Sequence, residues 1–245
     1  MTIDARQLLL LLTWMSPAFP LGSFAYSHGL EWAIAEGDVQ SADDLKAWIG
    51  DLVSRGSGWN DAVIFARCWD EDAGELNELA LALASSKERH LETTQVGRAF
   101  RIAASTFLDC HPRACSGDPS INMSGVGKFG TMGRRNKSGD DNIMEGDIAY
   151  CVVAGTACAA AGIGKSHALL AFLQGFSNTL VSVAVRLIPL GQTAGLMVIR
   201  DLMPVIAATA ERAATATLDD LGSVTILSDI AAMKHETQYS RVFRT

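Results

Sequence analysis

The spacing of apolar residues predicts helices along the first hundred residues. After Ser41, apolar side chains recur at the i, i+3, i+4, i+7 and i+8 positions of a one-sided helix, and Gly56 ends the run. Ser41 and Asp44 resemble a capping box, in which each side chain bonds the backbone of the other residue. The same spacing predicts five further helices, at about Ala5–Trp14, Phe24–Glu36, Asp61–Asp70, Glu75–Ala84 and Glu88–Phe107.

The apolar spacing stops after Leu108 and returns at about Ile148. Residues 109–147 are rich in Gly, Ser, Asn and charged side chains, so we expect an atypical loop or a disordered segment there. One explanation is a variable insert. The other, which we prefer, is a pair of compensating frameshifts, because these would scramble the block and leave both flanks intact.

A long helix is predicted over His167–Leu187, and it is apolar almost all round, so we expect it to run through the core. Polar side chains spaced by four lie along one face of this helix: Gln174, Asn178, Ser182 and Arg186. These four side chains could form hydrogen bonds within the core, or they could face an interface with Arg186 at its edge.

The C-terminal third predicts one or two helices after Gly191, broken or kinked at Pro204. A last helix follows with Ile226, Ile230 and Met233 on one side, and the chain ends in a polar, aromatic tail that we expect to dock elsewhere. No stretch alternates with period two for long enough to be a strand. The sequence therefore predicts an all-α fold, a single-domain bundle of roughly eight to ten helices over residues 1–245.

Composition and charge narrow the class of protein. Hydrophobic residues make up 49 % and charged residues 19 %, which excludes a wholly disordered chain. The net charge of −7 argues against nucleic-acid binding, which needs a basic surface. The five cysteines are odd in number and contain no CxxC, so neither a disulfide framework nor a zinc ribbon is predicted.

Targeting and membrane signals are weak. The N-terminal apolar run carries Asp4 before Arg6 and has no small-residue cleavage site, so a cytoplasmic protein is expected. Between Ile148 and Ile199 the charged residues are only Lys165 and Arg186. However, the first apolar run there has 17 residues, and a spanning helix needs about 20. We therefore favour a buried core helix rich in small residues over a membrane span.

Three sequence motifs imitate catalytic sites and fail on their context. The GxGxxG at 125–130 lacks the strand before it and the helix after it that a dinucleotide site needs. Gly164-Lys165-Ser166 ends like a phosphate-binding loop, but the first required glycine is replaced by Ala159. His235-Glu236 begins HExxH and lacks the second histidine. We therefore expect no enzyme, no cofactor and no metal site.

Three blocks of sequence resemble the UreF family of urease accessory proteins: SPAFPLGSFAYSHGLE at 16–31, RLIPLGQT at 186–193, and LDDLGS, SDIA and MKHETQYSR between 218 and 241. The resemblance implies an all-helical protein, commonly a homodimer, with no reaction of its own. Such proteins join a companion accessory protein, UreD or UreH, and recruit the GTPase UreG, and the assembly delivers nickel to apo-urease. An alternative that the resemblance also allows is a regulator of the GTPase cycle.

The opening block also suggests a partner-binding face. His28 and Glu31 are three residues apart, so they share one face of the predicted helix, which we expect to meet a partner together with Tyr26. The alternative is that Tyr26 and Trp32 are core residues and that His28 pairs with Glu31.

The other candidates come from the resemblance. Arg186 resembles a position near the GTPase-binding surface, as an interface residue or as an arginine finger. The tail at 226–245 resembles the segment that docks onto the companion protein, where aromatic residues and arginine would be good anchors. The complete predicted partner-binding set is Tyr26, His28, Glu31, Arg186, Gln192, Ile230, His235, Tyr239, Arg241 and Phe243.

Overall fold

Most of the predicted helices are present in a computed structural model that describes residues 2–108 and 146–243. The α-helices are α1 Ala5–Trp14, α2 Leu30–Glu36, α3 Ala42–Arg55, α4 Ser57–Arg67, α5 Ala73–Ala82, α6 Lys87–Leu108, α7 Tyr150–Ala160, α8 Lys165–Leu187, α9 Gly191–Thr215 and α10 Ile226–His235. The described part of the chain contains no strand, which confirms the all-α prediction. The predicted atypical segment lies outside the described residues, except for residues 146 and 147.

Side-chain caps set several helix starts. The predicted capping box is present at α3, where Ser41 accepts from the Asp44 N–H and Asp44 accepts from the Ser41 N–H. Asp4 and Gln7 form a second box at the start of α1. Gly56 ends α3 as predicted and also begins α4, so these two helices meet without a connecting loop.

Helix α4 lies at the centre of the core. Most of its side chains are buried, and it contacts α3, α7, α8 and α9. Helix α7 packs closely against it, because a Cβ on Gly155 would lie only 2.7 Å from the carbonyl oxygen of Phe65. The apolar, small-residue segment after Ile148 is therefore a buried core helix, as predicted.

The segment around α2 differs from the prediction of one helix over Phe24–Glu36. A short 3-10 turn covers Ser23–Ala25, and α2 begins only at Leu30, because His28 (φ 52°) and Gly29 (φ 74°) are left-handed and interrupt the helix. A Cβ on Gly29 would lie 2.5 Å from the backbone nitrogen of Ala232, so only glycine lets α10 approach this turn.

Helices α8 and α9 pack side by side, and of the two predicted alternatives for α9 the single helix is present. Helix α9 is one continuous helix through Pro204, which lies on its exposed side, where water can bond the carbonyl that proline leaves without a partner. Both helices are long and apolar enough to cross a membrane by length and composition alone. Yet only half of the most apolar stretch of α8, and a third of that of α9, is buried within the chain.

The polar row on α8 lies at the surface and not in the core. Its members are half-buried or exposed, and the Gln174 amide donates to the Asn178 side-chain oxygen over 3.1 Å. The interpretation as core hydrogen bonds is therefore wrong.

We predict that Gly97→Ala lowers the free energy of unfolding by roughly 1–3 kcal/mol, the usual cost of overpacking. A Cβ on this α6 glycine would lie 2.1 Å from the carbonyl oxygen of Ile148, which leads into α7. Chemical denaturation of the purified chain measures the effect.

The matched control is Gly50→Ala in α3, where the nearest atom, on Leu202, would be 3.8 Å from the new Cβ. This variant should gain roughly 0.5–1 kcal/mol from the higher helix propensity of alanine. Equal stabilities for the two variants would contradict the close contact between α6 and α7.

Candidate functional site

The predicted partner-binding residues fall into three sets in the structure. Five are buried: Tyr26, His28, Glu31, His235 and Phe243. Three lie on α10 and the tail with exposed surface: Ile230, Tyr239 and Arg241. Arg186 and Gln192 lie together in exposed positions where α8 turns into α9.

A group of polar and charged side chains, which we call the tail clamp, consists of the buried Glu31, Glu88 and His235 and the partly exposed Arg241. His235 is fully buried, and its two ring nitrogens lie 3.1 Å from a Glu31 oxygen and 2.7 Å from a Glu88 oxygen. Arg241 donates to the other Glu88 oxygen over 2.7 Å. The two buried carboxylates thus share the His235 ring, and Glu88 also pairs with Arg241, whose side chain is 39 % exposed.

Glu31 also holds the backbone of the tail. Its two carboxylate oxygens accept hydrogen bonds from the N–H groups of Val242 (2.6 Å) and Phe243 (2.8 Å). At the other end of the segment, Glu236 accepts the backbone N–H of Lys87 over 2.9 Å. The tail therefore docks onto α2 and α6 of its own chain, and the side chain of Phe243 is buried there.

A second group of charges, the inner cluster, consists of His28, Asp61, Arg89 and Glu92. His28 Nε2 lies 2.7 Å from Glu92 Oε1, and Arg89 donates to the other Glu92 oxygen. The second guanidinium nitrogen of Arg89 lies 3.4 Å from Asp61. His28 therefore pairs with Glu92 of α6, and the predicted alternative of a His28–Glu31 pair is wrong. His28 also precedes α2, so the two residues do not share a helix face.

The pKa values of the two acids in the inner cluster are shifted in opposite directions. Burial raises the pKa of Glu92, but the neighbouring charges of Arg89 and His28 outweigh it and lower the pKa to about 2. Burial raises the pKa of Asp61, and the more distant Arg89 offsets this only in part. The low pKa of Glu92 means that its carboxylate stays ionised well into the acid range.

Two small cavities, of about 70 Å³ and about 170 Å³, adjoin the inner cluster. Both are lined by Asp61 and Arg89, and each has room for several water molecules. Among the described residues, no three His, Cys, Asp or Glu side chains are placed to hold a metal ion together. The described part of the site is thus built from ion pairs.

The remaining members of the predicted face are core residues. Tyr26 is buried and donates its hydroxyl to Gln95 of α6, and Trp32 packs against the core. These observations support the alternative in which the two aromatic rings are structural. A partner-binding role for Tyr26, His28 and Glu31 stays a prediction.

The α6 residues of both groups were missed from the sequence, although a signal was present. Every fourth residue of α6 from Glu88 onward is buried: Glu88, Glu92, Val96, Phe100, Ala104 and Leu108. The two acids therefore continue the apolar stripe of this helix. Charged residues on a stripe that faces the core indicate buried ion pairs.

We predict that acid destabilises the wild-type chain more steeply than the variant Glu92→Gln. The pKa of Glu92 is about 2 in the folded chain and has its ordinary value of 4.5 when the chain unfolds. Its contribution is therefore fully present above about pH 4.5 and is lost as the pH falls towards about 2. The melting temperature measured from about pH 6 to about pH 3 tests this.

The matched control is Glu78→Gln, on the exposed side of α5, which should keep the wild-type slope. If Glu92→Gln also keeps that slope, the ion pairs of the inner cluster do not stabilise the fold as described.

Comparisons with known proteins place the chain in a family. A family model described as UreF matches residues 39–203. The urease accessory protein UreF of Mesorhizobium japonicum is 42 % identical over 243 residues, which cover 97 % of this chain and 96 % of the relative. Urease accessory protein UreF 1 of Brucella canis is 41 % identical, covering 97 % and 94 %. UreF of Methylorubrum populi is 39 % identical, covering 99 % and 100 %. The chain therefore belongs to the UreF family of urease accessory proteins.

Proposed function

We propose that this chain acts as a cytoplasmic scaffold in urease maturation. With a companion of the UreD/UreH type it recruits the GTPase UreG to apo-urease, where nickel is inserted. In this proposal the chain is a homodimer within the complex, carries out no reaction of its own, and needs no cofactor, nucleic acid or membrane. The names of its relatives, which describe accessory proteins, support this class.

The observation that carries the proposal is an exposed apolar surface on α10 and its flanks, which the tail clamp fixes against α2 and α6. The large apolar side chains exposed on α10 and its flanks are Val224, Ile226, Leu227, Ile230, Met233, Tyr239 and Val242. Such a concentration of exposed apolar side chains is typical of a protein-binding surface. We call it the tail face, and we propose that the companion protein binds it.

The tail clamp gives the buried candidates a role in this proposal. Glu31, His235 and Phe243 are too buried to touch a partner in this conformation, but they fix α10 and the tail against α2 and α6. A surface that is already ordered loses less conformational entropy when it binds. Direct contact then falls to Ile230, Tyr239 and the exposed part of Arg241.

A second candidate function, regulation of the UreG GTPase cycle, is favoured by Arg186. This exposed arginine lies in the last turn of α8, close in sequence to exposed Gln192 at the start of α9. An arginine supplied by a partner can stabilise the charge that develops during GTP hydrolysis. In the scaffold proposal the same two residues form part of the contact with the GTPase.

We predict that Leu227→Glu weakens binding to the companion protein by at least about tenfold, since it places a charge in the tail face. The control is Ile102→Glu, at an exposed position of α6 outside the tail face, and this variant should bind like wild type. Isothermal titration calorimetry with the purified companion measures both affinities. Equal affinities would exclude the tail face as the docking surface.

The role of the clamp is tested with Glu31→Gln, which removes the charge beside His235 without changing size. We expect weaker companion binding and a lower melting temperature, because the tail loses part of its hold. Glu36→Gln, exposed at the end of the same helix, is the matched control. Unchanged binding by Glu31→Gln would contradict the indirect role of the clamp.

Arg186→Ala separates the two functions. In the scaffold proposal the variant changes how much UreG joins the complex, as measured by size-exclusion chromatography with light scattering. If the complex forms normally and stimulated GTP hydrolysis is lost, the regulator is the correct function.

A further inference from the structure

The segment between α9 and α10 leads into the tail face, and we call it the strap (residues 216–225). It contains one short 3-10 turn, at Leu218–Asp220, and is otherwise without regular structure. Its two leucines pack partly buried against the core. From Gly222 to Thr225, however, no residue of the strap is buried. Burial therefore does not fix the end of the strap at which the tail face begins.

Two neighbouring residues of α4 hold the strap by side-chain hydrogen bonds. The buried Asn60 accepts the backbone N–H of Gly222 over 2.9 Å. The buried Trp59 donates its indole N–H to the backbone carbonyl of Asp220, also over 2.9 Å. The guanidinium of Arg212 in α9 lies over the Trp59 ring, 4.2 Å from its centre, and helps to keep this ring in place. The strap is thus bonded to the helix at the centre of the core.

The end of the strap also contacts the junction of α3 and α4. Val224 donates its backbone N–H to the carbonyl of Arg55 over 3.1 Å. A Cβ on Gly56 would lie 2.7 Å from the hydroxyl oxygen of Thr225, so the Thr225 side chain packs directly against the glycine between the two helices. The exposed Val224 belongs to the tail face. This face therefore begins at a point that α3 and α4 determine.

The larger of the two cavities beside the inner cluster lies between the strap and α4. Gly222 and Ser223 of the strap line it together with Asn60 of α4, and Asp229 of α10 also reaches it. Its volume of about 170 Å³ has room for water molecules. Because this space is not filled by packed side chains, the Asn60 bond is what joins Gly222 to α4.

We propose that Asn60 and Trp59 are positioning residues for binding of the companion protein. Both are buried, so they contact the strap and not the partner, and they fix the point at which the tail face begins. The tail clamp fixes its far end. The companion protein then meets side chains such as Leu227 in an ordered position, and less conformational entropy is lost on binding. This inference deepens the proposed function and rests on its tail face.

The test is the affinity of full-length Asn60→Ala for the purified companion protein, measured by isothermal titration calorimetry well below the melting temperature. We expect the dissociation constant to rise at least about fivefold, because the freed residues 222–225 must be ordered on binding. Hydrogen–deuterium exchange of the free variant should be faster across residues 222–227. Should Asn60→Ala fold poorly, Trp59→Phe loses the indole N–H, keeps a ring in the core, and should change both measurements in the same direction.

The matched control is Asn77→Ala in α5. Asn77 makes the same kind of hydrogen bond as Asn60, since it accepts the backbone N–H of Ala149 over 2.8 Å, just before α7 and outside the tail face. Loss of this bond should lower the melting temperature and leave the affinity for the companion protein unchanged.

A further variant separates positioning from a purely structural role. A Cβ on Gly222 would meet no atom within 4 Å, and φ of this residue is not positive, so Gly222→Ala fits the folded strap. Alanine has less freedom than glycine in a loose chain, so in the Asn60→Ala background it should restore affinity roughly two- to fivefold. In the wild-type background, where the strap is already held, Gly222→Ala should leave the affinity unchanged.

Each outcome decides a separate point. Wild-type affinity in Asn60→Ala, with binding weakened in Leu227→Glu, overturns the positioning role and leaves the tail face standing. Wild-type affinity in both variants overturns the tail face as well. An equal loss of affinity in Asn60→Ala and Asn77→Ala, or no recovery on adding Gly222→Ala, shows a general loss of stability and overturns the inference.

Discussion

Three charged side chains on little more than one turn of α6 must be buried, and the fold around them depends on how they are paired. Glu88, Arg89 and Glu92 each have less than a tenth of their surface exposed. An unpaired charge in such a position would cost several kcal/mol, so each requires a partner of opposite charge. The partners from outside α6 come from α4, from the segment just before α2, and from α10 and the C-terminal tail. One helix thus fixes three distant parts of the chain.

In this arrangement buried residues hold α10 in place, and α10 carries exposed apolar side chains. The tail clamp holds α10 against the left-handed turn at Gly29, where no larger residue leaves room for the backbone of Ala232. Held there, α10 turns apolar side chains such as Leu227 outward, away from the core.

The sequence predicted what local rules decide and missed what distant contacts decide. The capping box at Ser41 and the apolar spacing of α3 are local, and both were right. The predicted start of α2 was wrong because Gly29 is left-handed and packs against the backbone of α10, some 200 residues later in the chain. The pairing of His28 was wrong for the same reason, since Glu92 lies on another helix. Of the predicted break or kink at Pro204, the break is absent, because this residue lies on the exposed side of one continuous helix.

The central claim is that the α6 charges hold the tail in place. Hydrogen–deuterium exchange of Glu88→Gln tests it most directly, with Glu78→Gln as the exposed control on α5. The account predicts exchange at least about tenfold faster across residues 226–243 in Glu88→Gln, with the amides of α4 unchanged. Tail amides that exchange at the wild-type rate in Glu88→Gln would show that apolar packing alone holds the tail, and would contradict the account.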